Sequence, residues 1–323
     1  MDPIELLDPE YLFFKDEPSN SWTLDNLEDI RRRVAEGFKP RTEARCEQRW
    51  IGGASGTYPL RLCLYWPETA ASHESIPAVL YMHGGGFVLG CPEMLDDYLA
   101  GLAADLNALI VAVDYRLAPE HPFPAPLEDC YTGLAWLIEH GEASGIDKRN
   151  IAIMGHSAGG GLAAALALLV RTRRTYAIAG MALIYPMLDH RTGQQGVLAE
   201  NSTTGTFAWG RAANQFCWEC YRGAYTIEGD SAGLFSPALA TGLHDLPPCF
   251  VGVGSLDLFL EEDVAFALKL SNAAVPVELH VYPGVPHMFD QYPGTMTDQS
   301  YADTVRALRR MVARTGMTTA SKA

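Results

Sequence analysis

The chain has 323 residues, 48% apolar and 20% charged, a balance that excludes a mostly disordered chain, a coiled coil or a collagen. Thirty-nine Asp and Glu against 24 Lys and Arg leave a formal net charge of −15, so neither nucleic acid nor an anionic membrane is an expected partner of its overall field. The first residues are acidic where a signal peptide needs a basic start. The most apolar segment, Leu162–Val170, is about half the ~20 residues of a membrane span. Seven scattered cysteines do not form a disulfide framework, and a reduced, cytoplasmic protein is expected. Cys217 and Cys220 have redox or zinc spacing, yet no second pair completes a four-ligand site. Helix packing is therefore expected there, with no metal.

In chain order, residues 1 to about 44 read as helices. From about Arg45 to Leu188, short β-rich runs alternate with helix-like stretches. The strand-like runs are Pro77–His83, Ala108–Tyr115, Ile151–Gly155 and Met181–Pro186. Helix-like stretches lie near Pro92–Leu106, Pro126–His140 and Ala158–Thr172. Residues 190–235 interrupt this pattern with Gly, Thr and the aromatics Phe207, Trp209, Phe216, Trp218, Tyr221 and Tyr225. Alternation then resumes with strand-like Pro248–Ser255, a helix near Glu261–Ala273, strand-like Val277–Tyr282 and a helix near Ser300–Ala313. Runs apolar on both faces suit a parallel sheet covered on both sides, so a doubly wound α/β core is expected over 45–189 and 236–323. The aromatic insertion 190–235, with the helices of 1–44, is expected to cap the strand C-termini, where such sheets bind ligands. A peripheral hairpin with its own small core is the plainer alternative. Val277–Tyr282 is expected at a sheet edge, where a second copy could pair to form a homodimer.

Gly155-His156-Ser157-Ala158-Gly159 follows a strand-like run and opens a helix-like one. Strand, glycine turn, serine and helix is the context of a nucleophile elbow, whose serine occupies a strained turn where neighbouring side chains would collide. A shuffled chain of this composition yields the pattern roughly 0.1 times, so context must decide. Gly229-Asp230-Ser231-Ala232-Gly233 also matches, but it follows no buried strand and opens no long helix. Ser231 is therefore read as a decoy. His83-Gly84-Gly85-Gly86-Phe87 closes the run Pro77–His83, and its bare glycines leave N–H groups free to face a developing oxyanion. A serine hydroxyl needs a base and an orienting carboxylate. Asp257 follows a strand-like run and His287 follows the next one, which completes the order Ser157, Asp257, His287 used by α/β-hydrolases.

HGGGF, DYRLAPEHPFPA (Asp114–Ala125), GHSAGG and PHMF together resemble the bacterial hormone-sensitive-lipase family of carboxylesterases, from about residue 45 to 312. The resemblance implies a mostly parallel, eight-stranded α/β-hydrolase sheet flanked by helices, with a helical cap. It also implies Ser157, Asp257 and His287 as a triad, and the N–H groups of Gly85, Gly86 and Ala158 as an oxyanion hole. His83, Gly84, Gly155 and Gly159 support the two turns, while Arg116, Glu120 and His121 brace the loop beneath them. The aromatics suggest an apolar pocket near Phe87, Phe207, Trp209 and Met288. The expected substrate is a short- to medium-chain ester, and no cofactor is needed. An amidase or lactonase with the same triad, or a ligand receptor on the same fold, are the alternatives. Three departures stand out: His156 replaces the usual Asp before the nucleophile, Asp257-Leu258-Phe259 replaces Asp-Pro-Leu, and Met288 replaces Gly. A histidine beside the nucleophile titrates near neutrality and could shape the pH profile.

Overall fold

A computed structural model describes residues 2–16, 21–37, 46–68, 75–196 and 201–313. Eight strands form one sheet: β1 (Glu47–Gly52), β2 (Pro59–Tyr65), β3 (Ile76–Met82), β4 (Leu109–Asp114), β5 (Ile146–His156), β6 (Gly180–Ile184), β7 (Cys249–Gly254) and β8 (Val277–Tyr282). Their order is β1-β2-β4-β3-β5-β6-β7-β8. The β1–β2 and β2–β4 pairs are antiparallel, and every other pair is parallel. The helices are α1 (Leu27–Gly37), α2 (Asp96–Leu106), α3 (Ala125–His140), α4 (Ala158–Arg173), α5 (Arg211–Arg222), the short α6 (Ala232–Phe235), α7 (Leu260–Asn272) and α8 (Thr295–Ala313).

Successive side chains of a strand point to opposite faces, so the fully apolar strands feed two cores at once. Leu80, Met82, Val111, Val113, Ile153 and Val251 meet α3, α4 and α7 on one face. Val79, Tyr81, Ile110, Met154 and Phe250 meet α2 and α8 on the other. Helix α4 is apolar all round and buried from Ala158 to Val170, the pattern of a helix enclosed by its own protein.

The predicted strands and helices of the core are all present. β1 carried no signal in the sequence, because five of its six residues are exposed and alternation is absent. β8 lies at the opposite edge, with Val281 exposed. Arg306 and Arg310 of α8 pair with its Glu278. Among the described residues, no helix is long and apolar enough to cross a membrane.

Candidate active site

Strand β5 ends at His156 and α4 begins at Ala158, leaving Ser157 alone in the turn at φ 55° and ψ −121°. A non-glycine residue there is strained and persists only where its surroundings fix it. The Ser157 N–H donates to the Ile184 carbonyl at 2.9 Å, and its own carbonyl accepts from Gly161 and Met187. Helix and strands converge so closely that a Cβ on Gly155 would lie 2.1 Å from the Gly159 carbonyl oxygen. A Cβ on Gly159 would lie 2.1 Å from that of Met82. No other residue type fits at either position.

Asp257 follows β7 and His287 follows β8, so the parallel register carries both to the end of the sheet where Ser157 sits. Asp257 Oδ2 lies 2.7 Å from His287 Nδ1, and His287 Nε2 lies 2.9 Å from Ser157 Oγ. A carboxylate can only accept, so the proton sits on Nδ1 and Nε2 is left to accept from the serine. Asp257 Oδ1 accepts from the Phe259 N–H, which fixes the carboxylate plane. Ser157, Asp257 and His287 are 5%, 0% and 1% exposed, which removes competing water from these bonds. Two buried acids stand behind them. Burial, together with Glu262 and Asp257, pushes Asp263 well above the ordinary carboxylate range, and burial does the same to Glu262. Neither carboxyl oxygen of Asp263 has a partner among the described residues.

The glycine turn after β3 lies against the serine. A Cβ on Gly84 would sit 3.5 Å from Ser157 Cβ. Gly85 and Gly86 have φ 114° and 60°, and the Gly85 carbonyl accepts from both Val88 and Leu89. Ala158 is the first residue of α4, so its N–H has no acceptor within the helix. Burial pushes His83 below its ordinary value, leaving a neutral ring whose Nδ1 pairs with the Gly84 carbonyl at 2.7 Å and which stacks on Tyr115.

The loop after β4 holds this turn from below. Ala118 N–H donates to the Phe87 carbonyl, and Arg116 forms two side-chain bonds to buried Asp129. Glu120 pairs with Arg31 of α1, a residue without any motif in the sequence. Arg31 also donates to the Val88 and Ala118 carbonyls at 2.7 and 2.8 Å.

From the 190–235 segment, Trp209 faces His287 with ring centroids 6.0 Å apart. A Cβ on Gly86 would touch Trp209 and the Cys217 sulfur, so both press on the glycine turn. Burial pushes the Cys217 thiol well up, and it packs as an apolar group. Phe87 stacks on Tyr221 at 4.0 Å, Phe207 is buried in the core cluster that holds Tyr185, and Met288 is half-buried at φ 61°. Ser231 sits apart, hydrogen-bonded to Tyr225.

Asp290 and Tyr185 carry no motif of their own in the sequence. His156 Nε2 lies 3.2 Å from Asp290 Oδ2, and Tyr185 donates to Asp290 Oδ1 at 2.6 Å. Asp290 stands in the same loop motif as His287. No pattern within the sequence paired it with a residue 134 positions earlier.

Comparison with known proteins agrees with this architecture. A family model described as the alpha/beta hydrolase fold matches residues 79–291. The chain is 34% identical to the esterase LipI of Mycobacterium tuberculosis, over 84% of each chain. It is also 34% identical to an ethyl acetate hydrolase of Pseudomonas putida, over 72% of this chain and 71% of that one. Among solved structures, a bacterial heroin esterase superposes with a TM-score of 0.84 at 30% identity, covering 96% of this chain and 99% of the other. With the hydrolase sheet in place and esterases as relatives over most of its length, the chain belongs to the α/β-hydrolase fold family, in the hormone-sensitive-lipase branch of carboxylesterases.

Proposed function

We propose that the protein is a serine carboxylesterase acting on short- to medium-chain esters. The observation that carries this reading is the buried series of hydrogen bonds from Asp257 through His287 to Ser157, beside a turn of bare glycines. His287 takes the Ser157 proton as Oγ attacks the ester carbonyl, and Asp257 stabilises the imidazolium that forms. The oxyanion rests on the N–H groups of Gly85, Gly86 and Ala158. His287 then protonates the leaving alcohol, leaving an acyl group on Ser157. Water deprotonated by the same histidine attacks that acyl group and releases the acid. No step calls for a metal or organic cofactor.

The described residues of 1–44 and 190–235 form the cap in this reading, the rest of both segments lying outside the described residues, with Phe87, Trp209 and Cys217 as apolar walls. The likeness to an ethyl acetate hydrolase supports a small acyl group. The test is intact-mass spectrometry after exposure to a small organophosphonate, followed by peptide mapping. Nitrophenyl esters of rising chain length are run alongside. One adduct, on Ser157, with hydrolysis lost in Ser157→Ala, is expected. An adduct elsewhere, or hydrolysis surviving that substitution, overturns the assignment.

A further inference from the structure

His156 is buried, titratable and unused by the mechanism above. Strand parity sends its side chain to the α2/α8 face of the sheet, away from the substrate side. There the imidazole is ringed by Tyr81 of β3, Tyr98 of α2 and Tyr185 after β6, with centroids 5.6, 5.1 and 5.6 Å away. The charged group facing it is Asp290, on the turn three residues beyond His287. Because a carboxylate only accepts, His156 Nε2 carries a proton towards Asp290, and in the neutral ring Nδ1 accepts from the Tyr81 hydroxyl at 3.1 Å. The other oxygen of Asp290 accepts from Tyr185, whose ring meets His287 edge-on at 4.5 Å. Tyr185 holds φ 36°, and its N–H is fixed on the Gly252 carbonyl at 2.6 Å.

From this geometry we propose that His156 and Asp290 are a positioning pair for the contact between Ser157 and His287, a proposal that rests on the reading of those two residues as nucleophile and base. One end of the pair adjoins Ser157 in the chain. The other lies in the loop that carries His287, and through Tyr185 it sets the wall against which the imidazole stands. A carboxylate at position 156 would repel Asp290, whereas histidine complements it. Charge-assisted bonds in such an enclosed setting hold geometry firmly, and small displacements of a base from its nucleophile are costly.

The test compares His156→Leu, His156→Gln, Asp290→Asn and Tyr185→Phe with wild type on nitrophenyl butyrate, each normalised to sites titrated by phosphonate, and with His287→Ala normalised to folded protein because phosphonylation of Ser157 itself needs His287. Normalisation removes any loss that is only misfolding, and the two mild variants keep the test usable if His156→Leu folds poorly. His156→Leu and Asp290→Asn are expected to lower kcat about tenfold with KM within about twofold, while His156→Gln, which keeps a donor near Nε2, recovers most of it. Values of kcat within twofold of wild type in His156→Leu, Asp290→Asn and Tyr185→Phe, or no recovery in His156→Gln where His156→Leu is impaired, overturn the pair. Activity surviving in His287→Ala instead overturns the base assignment beneath it.

Discussion

Gly155–Gly159 and Gly229–Gly233 share the pattern Gly-x-Ser-x-Gly, yet Ser157 sits at φ 55°, ψ −121° and Ser231 at φ −76°, ψ −14°. The first is pinned between an 11-residue strand and a 16-residue helix; the second only precedes a four-residue helix. Ser157 Oγ meets a histidine, whereas Ser231 Oγ meets the Tyr225 hydroxyl and the Glu228 carbonyl. A Cβ on Gly155 or Gly159 would lie 2.1 Å from a backbone carbonyl oxygen, while one on Gly229 would have nothing within 4 Å and one on Gly233 would lie 2.9 Å from Ala240. The motif therefore reports a chemical site only where a long strand and a long helix converge on the serine. Elsewhere the same letters make an ordinary turn.

The sharpest way to break this contrast is to truncate both serines. Ser157→Ala is expected to lower kcat by roughly 10⁵- to 10⁶-fold and Ser231→Ala by less than about twofold, read on nitrophenyl esters. Comparable losses in both would erase the distinction. Asp257→Asn comes next, with kcat reduced roughly 10⁴-fold because the amide cannot hold the His287 tautomer, a loss that steady-state kinetics would register.

The glycines extend the contrast from chemistry to stability. Gly159→Ala drives a Cβ to 2.1 Å from the Met82 carbonyl oxygen and is expected to destabilise the fold by about 3 kcal/mol or more. Gly229→Ala meets open space but must keep φ 63°, for a cost of about 1 kcal/mol. Denaturant midpoints of the two variants measure the difference.

The smallest effect concerns the anchoring of the glycine turn after β3, a partner the second pentapeptide lacks. The Arg31 guanidinium pulls Glu120 from its usual value of 4.5 down to about 2. A depressed carboxylate contributes stability above its unfolded value and loses it as pH falls towards the folded one. That contribution is thus present above about pH 4.5 and fades towards pH 2. Glu120 is half exposed, so solvent and salt mute the effect. In Arg31→Met, wild type and variant should converge in stability as the pH is lowered through this window. A gap that stays constant down to pH 2 would assign the loss to packing instead.

Strands β3 to β8 and the core helices were legible because parallel strands read as apolar runs and their helices as separate periodic stretches, whereas the antiparallel β2 was not read as a strand. Ser157, Asp257 and His287 could be singled out because each follows a strand-like run, and a parallel sheet delivers all such positions to one end. β1 was not legible, since an exposed edge strand leaves no hydrophobic pattern. Arg31 was not legible either: two of its partners are the carbonyls of Val88 and Ala118, which leave no trace in side-chain identity, and the third, Glu120, lies 89 positions away.

By itself the sequence determined six of the eight strands, the chain order of Ser157, Asp257 and His287 after strand ends, and the two glycine turns. All of these follow from local periodicity and from residues whose backbone demands are specific. Only the tertiary structure decided that Trp209 of the insertion faces His287, and that His156 meets Asp290 across 134 residues. Those outcomes depend on which faces of distant elements meet. Strand parity and sheet register set that meeting, and no local window of sequence contains both.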